Sequence, residues 1–248
     1  MSHHIVEARN LSYTYPDGTE VLKDISFKIT HGESVAVVGA NGAGKSTLLL
    51  HLNGYISPSK GKVLIGDYPI NKETIQNVRR TVGMVFQNAD DQLFMPTVFE
   101  DVAFGPLNLG LSKQEVEKRV NQSLEIVGAL RLKDRPPYKL SGGEKRAVSI
   151  ATILSMSPDI LVMDEPTSNL DPKSRRNLIR LLKKFKHTKI IATHDLDMAL
   201  DLCERTIIIH NGQITADGLT ENLFRDKKLL FENSLETPLR LQACPVCG

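Results

Sequence analysis

The sequence predicts an α/β protein with a parallel-sheet core, an antiparallel β subdomain and an inserted helical subdomain. Three observations carry this prediction. Residues 5–30 alternate apolar and polar positions around a turn, as antiparallel strands do. Residues 34–52 have the pattern of a buried strand, a glycine-rich loop and a helix, and strand-then-helix patterns return after residue 158. Between them, residues 90–157 carry the apolar spacing of helices.

The first strands are marked by the turn signal Pro-Asp-Gly-Thr at residues 16–19. Two further strand-like runs follow the phosphate-loop region, at residues 62–65 and 81–86. These segments predict the antiparallel subdomain and one more strand leading into the helical region.

The loop from Gly39 to Thr47 fits G-x-x-x-x-G-K-[ST], whose backbone amides wrap the phosphates of a nucleotide. The start of the following helix adds free N–H groups and the positive end of the helix dipole. Lys45 supplies a charge for the β- and γ-phosphates, and Ser46 a hydroxyl for Mg²⁺. The sequence therefore predicts a P-loop NTPase (RecA-like) core that binds a nucleotide and Mg²⁺. The predicted nucleotide-binding residues of the loop are Gly39, Ala40, Asn41, Gly42, Ala43, Gly44, Lys45, Ser46 and Thr47.

Two helix starts in the helical region have the capping-box pattern S-x-x-E, at residues 112–115 and 141–144. Two glycines, Gly142 and Gly143, follow Ser141 and leave room for a phosphate at the helix start. Two anion sites and one nucleotide predict a composite pocket shared between two copies of the chain. An ordinary capped helix is the alternative. The apolar stripes behind the two starts are Val116, Val120, Leu124 and Val127, then Ala147, Ile150, Ala151 and Leu154.

The second half of the chain returns to alternating strands and helices. Apolar runs predict buried strands at residues 159–163 and 189–193. Asp171-Pro172 predicts a helix start, because aspartate caps and proline is tolerated in the first turn. Asn-Gly at 211–212 predicts a type I′ hairpin turn.

Polar side chains follow three of these strands. Asp164 and Glu165 follow the run at 160–163, and we expect Asp164 to hold Mg²⁺ and Glu165 to deprotonate the attacking water. His194 follows the strand at 189–193 and could donate a hydrogen bond to a γ-phosphate oxygen. Gln87 follows the strand-like run at 81–86 and could bind the metal or water. The alternatives are a solvated acidic pair, a structural histidine and an uninformative glutamine.

Composition excludes several other classes of protein. The 248 residues are 41% hydrophobic and 24% charged, with a formal net charge of +2, which does not favour nucleic-acid binding. No apolar run reaches the ~18 residues of a membrane span, and the N-terminus lacks signal-peptide character. We therefore expect a cytosolic chain that touches a membrane only through a partner.

Three cysteines are present. Cys203 is expected to be an inert packed thiol. Cys244 and Cys247 form a C-x-x-C pair, which is either half of a zinc site or redox pair or a reduced, solvated tail.

In this order the motifs resemble those of the nucleotide-binding subunits of ABC transporters. The loop at 39–47 matches the Walker A motif, and residues 160–164 match Walker B, with Glu165 as the adjoining catalytic glutamate. Leu140-Ser-Gly-Gly-Glu144 is similar to the family signature, and residues 168–171 to the D-loop, which ends at Asp171.

The same resemblance makes Gln87 the Q-loop residue and His194 the switch histidine. It makes Tyr15 the adenine-stacking aromatic, with Tyr13 less well placed. The similarity covers residues 5–220, so we predict an ATPase domain at 1–220 and a peripheral tail at 221–248. One departure is Glu144, where the family usually has glutamine; either residue can complete the cap.

A narrower resemblance lies in residues 86–106 and 164–172, which are similar to the ATPases of energy-coupling-factor importers, most of all to the cobalt/nickel component. It implies a head-to-tail homodimer with two shared ATP sites on the cytoplasmic face of the cell membrane. It also implies integral membrane coupling and substrate-binding subunits as partners, and no nucleic acid. The acidic pair Asp90 and Asp91 would suit basic residues on a docking helix.

Three other functions stay open at this point. The chain could serve another ABC importer, such as one for a vitamin. It could be a soluble ABC ATPase that works on DNA or ribosomes, although no coiled-coil insertion or second cassette occurs here. It could also be a non-catalytic nucleotide sensor, although Glu165 and His194 are both present.

Overall fold

A computed structural model describes residues 4–242, which divide into two compact units. The first unit contains the chain up to residue 79 and from residue 187 onward, and the second contains residues 80–186. In chain order the strands are β1 (His4–Thr14), β2 (Glu20–Thr30), β3 (Ser34–Val38), β4 (Lys60–Ile65), β5 (Tyr68–Pro69), β6 (Val82–Val85), β7 (Ile160–Asp164), β8 (Thr188–Thr193), β9 (Arg205–His210) and β10 (Gln213–Leu219). The α-helices are α1 (Lys45–Leu52), α2 (Ile75–Thr81), α3 (Val98–Asn108), α4 (Lys113–Ile126), α5 (Gly142–Leu154), α6 (Pro172–Lys184), α7 (Leu196–Leu202), α8 (Thr220–Arg225) and α9 (Lys227–Glu232).

The predicted antiparallel subdomain is present in the first unit. Its strand order is β2-β1-β4-β5, with each neighbouring pair antiparallel. On β2 the buried side chains Leu22, Ile25, Phe27 and Ile29 alternate with more exposed ones over much of the strand. The period-2 pattern in the sequence therefore identified this sheet correctly.

Parallel strands in the first unit carry the phosphate loop. Strand β3 lies between β8 and β9 and is parallel to both, and β10 pairs antiparallel with β9. Val38, the last residue of β3, pairs with Thr193, the last residue of β8. The chain segments that follow β3 and β8 therefore leave the same edge of the sheet, which is where ligands bind in open α/β folds.

The second unit contains the parallel pair β6 and β7 and a helical core. Val116, Val120 and Leu124 are buried on α4, as the stripe predicts. The core also draws on α3 and α5 through Val98, Val102, Ala103, Val148 and Ala151. On α5 the stripe residues Ile150 and Ala151 are buried, whereas Ala147 and Leu154 are half-buried. Three polar residues outside the stripe are also buried, namely Arg146, Ser149 and Thr152.

Helix capping differs between the two predicted boxes. At the start of α5 the reciprocal Ser141–Glu144 box is complete. At the start of α4 only half of it forms: Ser112 Oγ accepts from Glu115 N at 3.3 Å, while the Glu115 carboxylate accepts from Arg119 Nε at 3.0 Å. An ion pair at i,i+4 has taken the place of the returning bond.

Among the remaining elements, helix α2 departs from the prediction, whereas the start of α6 and the turn at residues 211–212 agree with it. Helix α2 was not expected, and it ends at Thr81, so the strand predicted at 81–86 is confined to Val82–Val85. Asp171 caps α6 as predicted, and the helix ends at Lys184 with Phe185 as its C-cap. Asn211 and Gly212 both have positive φ, 49° and 79°, as the predicted type I′ turn requires.

Helices α8 and α9 and the segment after them complete the described part of the first unit. Phe224 and Leu230 are buried, and Asp197 accepts hydrogen bonds from the backbone amides of Leu239 and Arg240 at 3.0 and 3.1 Å. The domain boundary near residue 220 stays a prediction.

Cys203 is buried as expected, and burial raises the pKa of its thiol to about 12. Cys244 and Cys247 lie outside the described residues. Within residues 4–242, none of the helices is both long enough and apolar enough to traverse a bilayer.

Candidate nucleotide-binding site

The phosphate loop joins β3 to α1 in the first unit. Gly39 is needed for space: a Cβ there would lie 2.2 Å from the carbonyl oxygen of Ile209 on β9. Gly44 is needed for its backbone, because it is the N-cap of α1 with φ of 105°, a value that side chains strongly disfavour. Gly39 does not have a positive φ, so close packing and not backbone freedom accounts for the glycine there.

Lys45 is 6% exposed and binds back across its own loop. Its Nζ donates to the carbonyl oxygens of Gly39 at 2.8 Å and Ala40 at 3.1 Å. The ammonium group is thereby held against the loop whose backbone amides would receive phosphate. The next residue, Ser46, is exposed, as a metal-binding hydroxyl would need to be.

Tyr15, the predicted base-stacking residue, follows β1 directly and is 36% exposed. Its hydroxyl lies 3.0 Å from Thr47 Oγ1 on α1. Tyr13 packs edge-on against it, with ring centroids 5.0 Å apart. Tyr15 is thus attached to the helix that begins at the phosphate loop.

His194 follows β8 and is exposed. It lines a cavity of about 430 Å³ together with Gly39, Ala40 and Asn41 from the phosphate loop. Residues 234–239 of the C-terminal segment form part of the same lining. The first unit therefore brings together the start of the phosphate loop and the predicted switch histidine.

The second unit gathers the other predicted polar residues beyond β6 and β7. Asp164 is the last residue of β7 rather than the one after it, and Asp164 and Glu165 are both buried. Val85 pairs with Met163, so Gln87 and the two carboxylates leave this strand pair at the same edge. Glu165 has a positive φ of 44°, an uncommon backbone conformation for glutamate that redirects the chain immediately after the strand.

Arg146 on α5 was not predicted to belong to the site. It is 4% exposed, and its guanidinium donates to the carbonyl oxygens of Phe86, at 2.6 Å, and Gln87. Burial lowers the pKa of Arg146, opposed by the charge of Asp164. The helix that begins at Ser141 thereby holds the backbone of the Gln87 segment. Nothing in the local sequence separates this arginine from an exposed one.

The signature residues lie at the start of α5, beside the start of α6. A Cβ on Gly143 would lie 2.5 Å from Ser174 Oγ. Asp171 accepts from the backbone amides of Lys173 and Ser174 and from the Ser174 hydroxyl at 2.6 Å. That hydroxyl is the chief reason that the pKa of Asp171 is lowered. The predicted D-loop and signature are therefore neighbours within the second unit.

Glu144 completes the cap of α5. Its carboxylate accepts from Ser141 N at 3.1 Å and from Arg131 Nη2 at 2.9 Å. The backbone N–H of Ser141 is the main cause of the lowered pKa of Glu144, and Arg131 and Arg135 contribute. The carboxylate charge is therefore compensated at this helix start.

We expect Glu144→Gln to retain ATPase activity within about twofold, because a glutamine oxygen can still accept from the Ser141 amide. The exposed pair with Arg131 is lost, which costs under about 1 kcal/mol of unfolding free energy. Steady-state ATP hydrolysis and urea unfolding of the two proteins would measure both effects. A complete loss of activity would show that the carboxylate does more than cap the helix. Glu125→Gln, on the exposed side of α4, is the matched control.

Asp90 and Asp91, the acidic pair predicted to dock on a membrane partner, both make hydrogen bonds within the chain. Asp90 Oδ1 accepts from Lys145 Nζ at 2.5 Å, and Asp91 Oδ1 accepts from Asn88 Nδ2 at 3.3 Å. Both residues are exposed, so the hypothesis stays a prediction.

A strand, phosphate loop and helix in this arrangement, with carboxylates at the end of a parallel strand, define an α/β nucleotide-binding protein of the P-loop class. A family model described as ABC transporter matches residues 22–168. The chain belongs to the ABC transporter family, as one of its ATP-binding, ATP-hydrolysing proteins.

Relatives and solved structures agree with this assignment. A Geobacter sulfurreducens protein, provisionally named an ABC transporter ATP-binding protein, is 66% identical over 248 residues and covers 100% of both chains. The energy-coupling factor transporter ATP-binding protein EcfA of Methanocaldococcus jannaschii is 49% identical, with 95% of this chain and 86% of that protein covered. The resemblance to energy-coupling-factor ATPases is thus confirmed.

Two solved structures share the fold. CbiO1 from Clostridium perfringens, described as part of the ABC transporter complex CbiONQ, has a TM-score of 0.82 and 38% identity, covering 93% of this chain and 94% of that one. A dimeric ATP-binding cassette in a post-hydrolysis state with ADP and Pi has a TM-score of 0.78 and 30% identity, covering 87% and 98%. The predicted fold class is confirmed.

Proposed function

We propose that this protein energises an energy-coupling-factor importer for cobalt or nickel ions. The observation that carries the proposal is the likeness to CbiO1, a part of CbiONQ, joined to the EcfA relatives. In this proposal the chain lies on the cytoplasmic face of the membrane, bound to an integral coupling subunit. The metal ion is cargo and crosses through a separate membrane subunit.

The working unit is a head-to-tail homodimer that closes around two ATP molecules. Each ATP is held by the phosphate loop of one copy and by Ser141, Gly142 and Gly143 of the other, with Asp171 at the dimer contact. A capped helix start that carries two glycines is suited to a second set of phosphate contacts. The solved cassette with ADP and Pi, a structural neighbour, is itself dimeric. Closure does work on the membrane partner, and hydrolysis resets the dimer.

Within each site the polar residues have separate roles. Tyr15 stacks on the adenine, and Lys45 neutralises phosphate charge. Glu165 orients the attacking water and accepts its proton, and His194 donates a hydrogen bond to the γ-phosphate. The cavity shared by His194 and the start of the phosphate loop supports the last assignment.

Ser46, Asp164 and Gln87 would hold Mg²⁺ with the phosphates. These residues offer a hydroxyl, a carboxylate and an amide oxygen, which are the hard donors that Mg²⁺ takes. No group of three or more histidine, cysteine, aspartate or glutamate side chains forms a metal site within residues 4–242, and Mg²⁺ at a nucleotide needs only one or two carboxylates. When bound, the ion would neutralise charge on the β- and γ-phosphates.

Uptake by the isolated membrane assembly tests the proposal. The chain should copurify with integral membrane proteins, and proteoliposomes of the complex should take up Co²⁺ or Ni²⁺ only when ATP is supplied. Uptake of a vitamin instead would overturn the cargo. A chain that hydrolyses ATP but copurifies with no integral membrane protein would favour a non-transport ATPase, and a chain without turnover in the assembly would favour a nucleotide sensor.

A further inference from the structure

A closed ring of contacts connects Tyr15, the predicted base-stacking residue, to helix α1, which begins at the phosphate loop. Tyr15 Oη lies 3.0 Å from Thr47 Oγ1, and Tyr13 packs edge-on against Tyr15. Tyr13 also packs edge-on against His51, with centroids 4.9 Å apart. His51 Nδ1 lies 2.7 Å from the carbonyl oxygen of Thr47, which returns the ring of contacts to its start.

We call this set of contacts the tyrosine–helix ring; its members are Tyr13, Tyr15, Thr47 and His51. Each of these side chains limits the movement of a neighbour in the ring. A carbonyl oxygen can only accept, so His51 Nδ1 donates to Thr47 and fixes the histidine tautomer. Burial is the main reason that the pKa of His51 is lowered, and the hydrogen bond to the Thr47 carbonyl opposes it. Thr47 and His51 are almost fully buried, at 6% and 1% exposed, whereas Tyr15 keeps a third of its surface open.

The tyrosine–helix ring restricts the rotation of one side chain, that of Tyr15. Tyr15 follows strand β1 and precedes the turn at residues 16–19, where a tyrosine without further contacts would sample several rotamers. A hydroxyl tether to a buried threonine removes that freedom at the tip of the side chain. The tether also ends on the first turn of α1, so the aromatic face stands at a set distance from the phosphate loop.

We propose that Thr47 is a positioning residue that holds the aromatic ring of Tyr15 through the hydrogen bond between their hydroxyls. Helix α1 then positions both the base and the phosphates of the nucleotide. Lys45, Ser46 and Thr47 then serve phosphate, metal and base in three consecutive positions. The inference rests on the proposed stacking of Tyr15 on the base, and it adds a residue that acts through Tyr15 without touching the base.

The test compares ATP with tripolyphosphate, a ligand that has the phosphates and no base. Dissociation constants for both ligands are measured on the full chain by calorimetry, and their ratio isolates the contribution of the base. Tyr15→Phe keeps the ring and deletes the hydroxyl, and Thr47→Val deletes the partner hydroxyl at nearly constant volume. Any direct effect of Thr47 on phosphate appears in both ligands and cancels in the ratio.

We expect Tyr15→Phe and Thr47→Val each to reduce the preference for ATP by about three- to tenfold, the worth of one hydrogen bond. The double variant should lose no more than either single variant, because both remove the same bond. Thr47→Ser should restore the preference, since it returns a hydroxyl to the same atom position.

The inference would be overturned if the preference for ATP over tripolyphosphate were unchanged in Tyr15→Phe but reduced in Tyr15→Ala. The aromatic ring of Tyr15 would then contribute to base binding without its hydrogen bond to Thr47. Additive losses in the double variant would overturn it as well. If Tyr15→Ala itself leaves the preference unchanged, the stacking role in the proposed function fails instead. Thermal unfolding of each variant without ligand confirms that the fold is retained.

Discussion

Glu165→Gln is expected to lower steady-state ATP hydrolysis by about 10²–10⁴, the usual worth of a general base. Glutamine has the shape of glutamate but no basic oxygen, so water stays positioned and keeps its proton. The backbone around the residue should persist, because the carbonyl oxygen of Glu165 accepts from Ser168 N at 3.1 Å and from Ser168 Oγ at 2.9 Å. Both bonds are independent of the side chain.

The same variant should collect as an ATP-bound dimer, since hydrolysis is the step that reopens the proposed assembly. Light scattering with saturating ATP and Mg²⁺ would measure the dimer, and phosphate release would measure hydrolysis. Hydrolysis close to that of the unaltered protein, or monomers only, would contradict the role of Glu165. Glu125→Gln, a carboxylate-to-amide change on α4, serves again as the control.

Lys45→Ala is expected to weaken ATP binding by about 10- to 100-fold, because a hydrogen bond between charged groups is lost. The variant also removes the two bonds from Nζ to the carbonyl oxygens of Gly39 and Ala40, which join the start of the loop to its end. Lost charge and a loosened loop act in the same direction.

Calorimetric titration with ATP would measure this loss. Lys62→Ala, on the exposed side of β4, removes the same charge from the antiparallel sheet and should leave the dissociation constant unchanged. An unchanged constant in Lys45→Ala would mean that the loop does not bind the triphosphate. A lowered melting temperature in nucleotide-free protein would measure the contribution of the loop bonds separately.

Local patterns predicted much of the fold because they record local forces. Residues 35–38 are all apolar and lie between Ser34 and Gly39, and β3 consists of this run together with Ser34. Asp171 combines a capping side chain with a following proline, and α6 begins there. Helix α2 was missed because only Val78 on it is buried, which leaves no apolar stripe to recognise.

Helix starts with the same capping pattern differ in the bonds that they form. The same S-x-x-E pattern gives a full box at Ser141, where Glu144 binds both the Ser141 amide and Arg131, and half a box at Ser112, where Glu115 pairs with Arg119 one turn later. The full box at Thr97 and Glu100 was not predicted at all. Sequence spacing identifies which bonds can form, and the three-dimensional neighbours decide which do.

The motifs of the candidate site could be predicted from the sequence, whereas the contacts between distant residues could not. The phosphate loop, the acidic pair and the signature could be found from spacing, since each motif is contiguous in the chain. The bonds of Arg146 to the segment at Gln87 and of Thr47 to Tyr15 span 59 and 32 residues, and no local pattern encodes them. These long-range contacts are what the structure adds to the motifs.

The close approach between Gly39 and the Ile209 carbonyl has an evolutionary consequence. A Cβ at 2.2 Å would require β9 to shift, so the sheet excludes every other amino acid at this position whether or not a nucleotide ever binds. A descendant that had lost catalysis would be under no such restraint at Glu165, yet it would still keep this glycine. Cassettes that have lost catalysis should therefore be recognised by substitution of the carboxylate at Glu165, since the packing of the sheet requires the first glycine of the loop in either case.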